Sequence, residues 1–377
     1  MSPLLHSARS ADGTTITWTS TGDGPVLIHL PGAPLSNLVD EWQIPVLRAA
    51  YEALAAELRL IQFDARGTGH SQRDVSGFSL DAHVADLEAA IDAAGVNAEP
   101  IALLGFYGSV TEAIAYAARH PDHVSHLVLF GGAARGWLQM SGAETQALLS
   151  LIERDWNAFV ESIAHAWLGW DVDPEQGRLA AEAFRAATTP VVARATLRAK
   201  SGMDVTPLLG KVRCPVLVLH RRDQRVIPLA LSEELTAGLP NARLELLPGA
   251  SATLFFEGTT EVVRTIVEFV RGRPAEGRVA ASRRGPTEEA AAAGERARAV
   301  DGAPSREAQT VVLRRPLTPR ELEVLRLIAG GESNAEIAHA LGLSINTVER
   351  HVANVYRKID ARGRADATAF AVRQGLA

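Results

Sequence analysis

Two hydrophobic rhythms follow one another along the chain. Between Ile16 and about Gly272, short apolar runs rich in β-branched residues alternate with Ala- and Leu-rich stretches of helical spacing. The runs Val26-Leu27-Ile28-His29-Leu30, Leu60-Ile61-Gln62-Phe63, Ile101-Ala102-Leu103-Leu104, Leu127-Val128-Leu129-Phe130 and Val216-Leu217-Val218-Leu219 are apolar at nearly every position, as strands buried on both faces are. Several end in Gly or Pro and helical stretches follow, so the pattern predicts a mostly parallel sheet covered by helices on both faces. From Gly136 to about Leu209 no strand-like run occurs. That stretch holds Trp137, Trp156, Trp167 and Trp170 and reads as a helical insertion. Its aromatics either fill its own core or line an apolar pocket as a lid.

Past Arg271 the rhythm stops. Residues 273–315 are mostly Ala, Arg, Glu, Gly and Pro, with almost no large apolar residue before Val311-Val312-Leu313. Such a segment cannot bury enough surface to offset its ordering entropy and reads as a flexible linker. A purely helical rhythm then begins. Thr318 with Glu321 forms a capping box with Pro319 at the first helical position, and Leu322, Leu325 and Ala329 share a face with Val324 and Ile328 close by. Ser333 with Glu336 opens a second, short helix with Ile337, Ala338 and Leu341 turned inward, stopped at Gly342. Ser344 caps a third helix from about Ile345 to Ile359, with Val348, Val352, Val355 and Ile359 as its buried stripe. A fourth runs from about Arg364 to Gln374. Two helices joined by a short turn, the second longer, make a helix-turn-helix.

Composition sharpens this division. The chain has 377 residues and a formal charge of −6. From Arg314 to Ala377, ten Lys and Arg face seven Asp and Glu, a balance of +3 that leaves −9 elsewhere. An acidic body with a mildly basic tail is a weak footprint for nucleic acid on charge alone. The single cysteine, Cys214, excludes an internal disulfide and a cysteine-based metal cluster, and no cofactor or metal site is expected. No apolar run is long enough to span a membrane and no signal-like segment opens the chain, so a cytoplasmic protein is expected.

The stretch Leu317–Leu376 resembles the LuxR/FixJ-type DNA-binding domain, through Leu317-Thr318-x-Arg320-Glu321, Ser333-Asn334-x-Glu336-Ile337-Ala338 and Thr347-Val348-x-x-His351-Val352-x-Asn354. The resemblance implies that the third helix enters the major groove of double-stranded DNA, usually in a dimer on a two-fold related site. Candidate contacts are Ser344, Asn346, Thr347, Glu349, Arg350, His351, Asn354, Arg357 and Lys358. Glu349 stands where many relatives carry Lys, and a carboxylate there accepts from cytosine N4 but repels phosphates. His351 is read equally as a phosphate contact or as a packed histidine.

Residues 10–272 resemble the α/β-hydrolase superfamily. The landmarks are His29-Leu30-Pro31-Gly32-Ala33, where an oxyanion-hole turn is placed, Asp64-Ala65-Arg66-Gly67-Thr68-Gly69-His70-Ser71, Tyr116–Val124 and Val212–His220. Acyl transfer on this scaffold needs Ser at a Gly-x-Ser-x-Gly elbow, a histidine base and a carboxylate. The aligned positions hold Tyr107, within Gly105-Phe106-Tyr107-Gly108-Ser109, then Gln224 four residues before Pro228, and Ala252 after Pro248-Gly249. Asp223 is a neighbouring substitute acid, but on an extended segment it would face away.

The full expectation is an α/β-hydrolase fold with a helical lid (residues 1–272, lid about 136–209), a linker (273–315), and an all-α helix-turn-helix domain (316–377). The vestigial centre, Gly32, Ala33, Tyr107, Gly108, Asp223, Gln224 and Ala252, would bind a small, mostly apolar effector without catalysis and so regulate a homodimer on DNA. Alternatives are a domain used only for dimerisation or docking, and an enzyme using Tyr107 or Asp223.

Overall fold

The computed structural model describes residues 3–136, 150–168, 174–224, 227–272, 318–359, 361 and 364–373. The linker expected over 273–315 lies outside them, as do Trp137 and Trp170. The chain divides into two units, Met1–Arg283 and Arg284–Ala377.

The first unit is built on one sheet of β1 (His6–Arg9), β2 (Thr15–Thr21), β3 (Val26–His29), β4 (Arg59–Phe63), β5 (Ile101–Phe106), β6 (Val124–Phe130), β7 (Val216–Arg221) and β8 (Ala242–Leu247). Their spatial order is β1-β2-β4-β3-β5-β6-β7-β8. The pairs β1–β2 and β2–β4 are antiparallel and the rest are parallel. All five apolar runs lie in inner strands. Because side chains alternate across a strand, each run feeds two cores. Val26, Ile28, Ile61, Leu103, Leu127, Leu129, Val216 and Val218 pack on one face, and Leu27, Leu60, Leu104, Val128, Phe130, Leu217 and Leu219 on the other. α3 (Leu80–Ala94) and α4 (Val110–Arg119) cover the first face through Val84, Leu87, Ile91 and Ile114. α2 (Pro45–Ala55), which follows the short α1 (Leu38–Glu41), covers the second with α9 (Thr259–Val270) through Tyr51, Leu54, Val262 and Ile266. Truncating one fully buried leucine in such a core costs about 2–5 kcal/mol.

Between β6 and β7, α5 (Trp156–Leu168), α6 (Pro174–Ala187) and α7 (Pro190–Ser201) form the helical insertion, and α8 (Leu229–Gly238) follows β7. Trp156 stacks on Phe159 at 5.3 Å inside the insertion. Ile152, Val160 and Ile163 of the insertion share that small core with Leu35 from the loop after β3.

The Asp64–Ser71 segment owes its composition to a buried electrostatic turn. The Asp64 carboxylate accepts from the backbone N–H of Leu38 and of His70, both at 2.8 Å, tying the turn to the start of α1. Arg66 makes two bonds to Asp86 of α3, at 2.8 and 2.7 Å, and a third to Asp12. Fork geometry of this kind fixes position as well as adding energy.

The second unit contains α10 (Pro319–Ala329), α11 (Asn334–Leu341), α12 (Ile345–Ile359) and α13 (Arg364–Arg373). Both capping boxes form, Thr318 with Glu321 and Ser333 with Glu336, and Gly342 ends α11 in the left-handed conformation. The core is Val324, Leu325, Ile328, Ile337, Val348, Val352, Val355, Ala367 and Phe370. On α10 burial therefore centres on Val324, Leu325 and Ile328, one position away from the expected stripe through Leu322, because α12 and α13 both pack on that side.

Candidate functional site

β5 ends in a sharp turn that α4 closes. The backbone at Gly105 passes so near α4 that a Cβ would meet the Ala113 Cβ at 2.9 Å. Tyr107, at φ 51°, is the one non-glycine residue with positive φ among the described residues. Holding such a residue there costs on the order of 1–3 kcal/mol, strain that the surrounding structure must offset. Ser109 does not face outward as a nucleophile would. Its hydroxyl donates to the Phe106 carbonyl at 2.9 Å and accepts from the Phe106 N–H at 3.0 Å, stapling the elbow.

Two of the three aligned positions, Tyr107 and Gln224, meet. Tyr107 is buried, set edge-on to Phe130 at 6.2 Å, and its hydroxyl accepts from the Gln224 carboxamide at 3.4 Å. Burial pushes the phenol far above its ordinary value, so it stays protonated at any working pH. Ala252 is buried in the same apolar cluster as Tyr107. Gln224 is buried, and among the described residues its carbonyl oxygen has no hydrogen-bond partner. Asp223 corrects the expectation that grouped it with this centre: it is exposed, and its N–H donates to the Gly249 carbonyl at 3.0 Å. The chain turns at 222–223 instead of running extended, and that turn sends the carboxylate to solvent. A phenol and a carboxamide donate and accept hydrogen bonds, but neither takes up a proton near neutrality.

The oxyanion-side turn is filled. The Phe106 ring stacks on His29 at 5.2 Å and lies so close over Gly32 that a Cβ there would meet its Cζ at 2.8 Å. Ala33, next in the turn, is half-buried. Burial lowers His29 to about 4, so it is a neutral imidazole facing Gln62.

Two cavities flank the elbow. One of about 150 Å³ is lined by Tyr107, Gly108, Gly131, Lys200, Ile227 and Leu231 among others. The second, of about 70 Å³, is lined by His29, Gly32, Ser36, Glu41, Tyr51, Phe106, Phe184 and Phe255 among others. Of the insertion's aromatics, Phe184 lines the second cavity. Lys200, on α7, is buried in an ion pair with Glu112 of α4 and also donates to the Gly108 carbonyl at 3.3 Å. Among the described residues no group of three or more His, Cys, Asp or Glu is placed to hold a metal ion.

In the second unit, Glu349, Arg350, Ala353 and Arg357 are exposed along α12, with Thr347, His351 and Asn354 half-buried beside them. The Asn346 side chain lies outside those described. Ser344 is exposed and accepts from the Thr347 N–H at 3.2 Å, so it also serves as the cap. Arg357 donates to Asn354 at 2.9 Å. Lys358 departs from the expected interface: its ammonium is held by Glu321 at 2.6 Å, bracing α12 against the start of α10. It lies three residues after buried Val355, on the flank of the packed stripe, where it meets α10 before solvent.

A family model described as the α/β hydrolase fold matches residues 25–259, and one described as bacterial regulatory proteins of the luxR family matches residues 315–371. The chain belongs to the α/β-hydrolase-fold family, fused to a LuxR-type helix-turn-helix domain. Its relatives within the hydrolase-fold family include a putative carbamate hydrolase, RutD, from a Caulobacter species, 27% identical over 59% of this chain and 85% of that protein. A non-heme haloperoxidase from Rhodococcus erythropolis is 26% identical over 69% of this chain and 97% of that protein. An esterase from Exiguobacterium antarcticum superposes with a TM-score of 0.64 at 21% identity, covering 71% of this chain and all of that one. This last likeness concerns the fold alone. No helix among the described residues is long and apolar enough to cross a membrane.

Against this hydrolase-fold family, the sequence pattern missed three features of the site: the Phe106 ring over Gly32, the Lys200–Glu112 pair and the neutral His29. Lys200 sits in the last turn of a helix, where a lysine ordinarily complements the dipole from solvent, so nothing local marks it as buried.

Proposed function

We propose that this protein is a transcription regulator whose hydrolase-fold domain binds a small, mostly apolar effector without hydrolysing it. The reading rests on one observation above all: a buried phenol at the elbow, hydrogen-bonded to a glutamine, with alanine in the place of the base. Transfer of an acyl group needs a nucleophile, a proton acceptor and an oriented carboxylate, and the side chains of Tyr107, Gln224 and Ala252 supply none of them. Two cavities beside that centre favour ligand binding over a purely packed docking platform. Effector binding acts on DNA affinity only if the ligand prefers one of two states of the protein.

The regulator works as a homodimer on a two-fold site, with Thr347, Glu349, Arg350 and Asn354 reading base edges and Arg357 contacting phosphate. Genome-wide footprinting of the purified protein supplies a DNA target, and titration of that fragment with and without candidate effectors measures the coupling. Turnover of p-nitrophenyl acetate that disappears in Tyr107→Phe would overturn the reading, as would failure to protect any DNA sequence.

A further inference from the structure

We propose that the larger cavity beside Tyr107 binds a neutral molecule that joins an apolar body of about one aromatic ring to a carbonyl acceptor, received by Lys200. The proposal rests on the effector reading for its purpose, and on the cavity for its chemistry. The volume is about 150 Å³, and a dry apolar cavity of that order admits benzene. The Tyr107 ring, Ile227, Leu231 and Leu235 supply apolar walls, while Gly131 and Gly132 leave the backbone bare on one side.

Lys200 is the buried charge on this wall, its side chain 3% exposed. An ammonium carries three protons. Among the described residues Glu112 takes one and the Gly108 carbonyl a second at 3.3 Å, which leaves one for a guest. The charge balance decides what that guest is. Glu112 already neutralises Lys200, and at the mouth Arg135 is held by Glu234 at 2.7 Å. A carboxylate would bring a second buried anion close to Glu112 with no unpaired cation among the cavity's described lining residues to match it, whereas a ketone, ester or amide oxygen accepts the proton without that cost. A plain hydrocarbon fills the volume but forgoes the bond. Since Lys200 belongs to the insertion and Glu112 and Gly108 to the elbow and α4, occupancy bears directly on the pair that ties these elements together.

The test is calorimetric titration and co-crystallisation of the full chain with acetophenone, benzoate and toluene. Acetophenone should bind about tenfold more tightly than either of the others, as one hydrogen bond to a charged donor implies. Its oxygen should lie within hydrogen-bond distance of the Lys200 Nζ. Leu231→Trp, which fills the cavity and leaves the ion pair alone, should abolish binding, and Glu112→Gln, which unbalances Lys200, should turn the preference toward benzoate. Benzoate matching acetophenone on the unaltered chain, acetophenone seated instead in the smaller cavity by Phe106, or no binding of any of the three overturns the assignment. DNA affinity measured on the same samples keeps the two readings apart. Acetophenone bound at Lys200 with unchanged DNA affinity supports this cavity assignment while counting against its regulatory use.

Discussion

Replacing Tyr107 separates a packing role from a chemical one. Tyr107→Phe removes one hydroxyl and keeps the ring against Phe130 and Gly131. The bond it removes, from Gln224 at 3.4 Å, is long for a neutral pair, so its loss costs about 1 kcal/mol, most of it from leaving the Gln224 amide unpaired. Among the described residues the Gln224 carbonyl oxygen already lacks a partner, so the carboxamide would then lose the one bond they give it. For a domain of this size that cost lowers the melting temperature of the first unit by about 2–4 °C. Tyr107→Ala removes the ring as well, and emptying a buried aromatic site costs about 3–5 kcal/mol, or roughly 6–20 °C. The pH dependence carries the chemical information. Burial raises the folded phenol above its unfolded value near 10, so the associated loss of stability starts only above that pH. The difference in melting temperature between the parent and Tyr107→Phe should therefore be constant from pH 6 to 9. Differential scanning calorimetry across that range is the assay. A difference that changes with pH below 9 would mean the phenol ionises in the folded protein, and the argument for an inert centre would fail.

On α12, Arg350→Ala should weaken binding to the footprinted DNA by about 1–3 kcal/mol and relax its selectivity, whereas Lys358→Ala should lower the melting temperature of the second unit and leave selectivity unchanged, because Lys358 is committed to Glu321. Gel-shift titration paired with thermal melts distinguishes the two, and equal effects on selectivity would contradict this placement. Glu349→Lys should tighten binding to unrelated DNA and steepen its salt dependence by about one ion, measured by titration over a salt series. Burial raises Glu41 from 4.5 to about 7; the unfolded chain gives up that proton first, so stability falls as pH rises from 4.5 through 7 and then levels. Urea unfolding of Glu41→Gln should show a flatter profile over that window, Asp64, raised to about 6, accounting for part of the remaining slope. Lys200→Met alone should cost about 3–5 kcal/mol by stranding Glu112, and the double change with Glu112→Leu should recover most of it; strict additivity in denaturant unfolding would refute a direct pair.

Local chemistry wrote much of this protein into its sequence. Apolar runs without alternation located five inner strands, since only a strand covered on both faces tolerates them. Two capping boxes and Gly342 bounded the helix-turn-helix, because caps act within a single turn of the chain. The resemblance to the hydrolase superfamily aligned Tyr107, Gln224 and Ala252, and folding places Tyr107 and Ala252 in one apolar cluster and bonds Gln224 to Tyr107. Strands β1, β2 and β8 were not legible, for their polar positions interrupt the apolar rhythm toward the margins of the sheet. Lys200 and Glu112 are 88 residues apart, and Lys358 and Glu321 are 37 apart. Charges so distant meet only when packed elements close on them, and the choice between solvent and a buried partner is then made by the geometry of that closure. The same holds for Asp223 and Gln224, adjacent in the chain, where one tight turn after β7 decided which of them entered the interior.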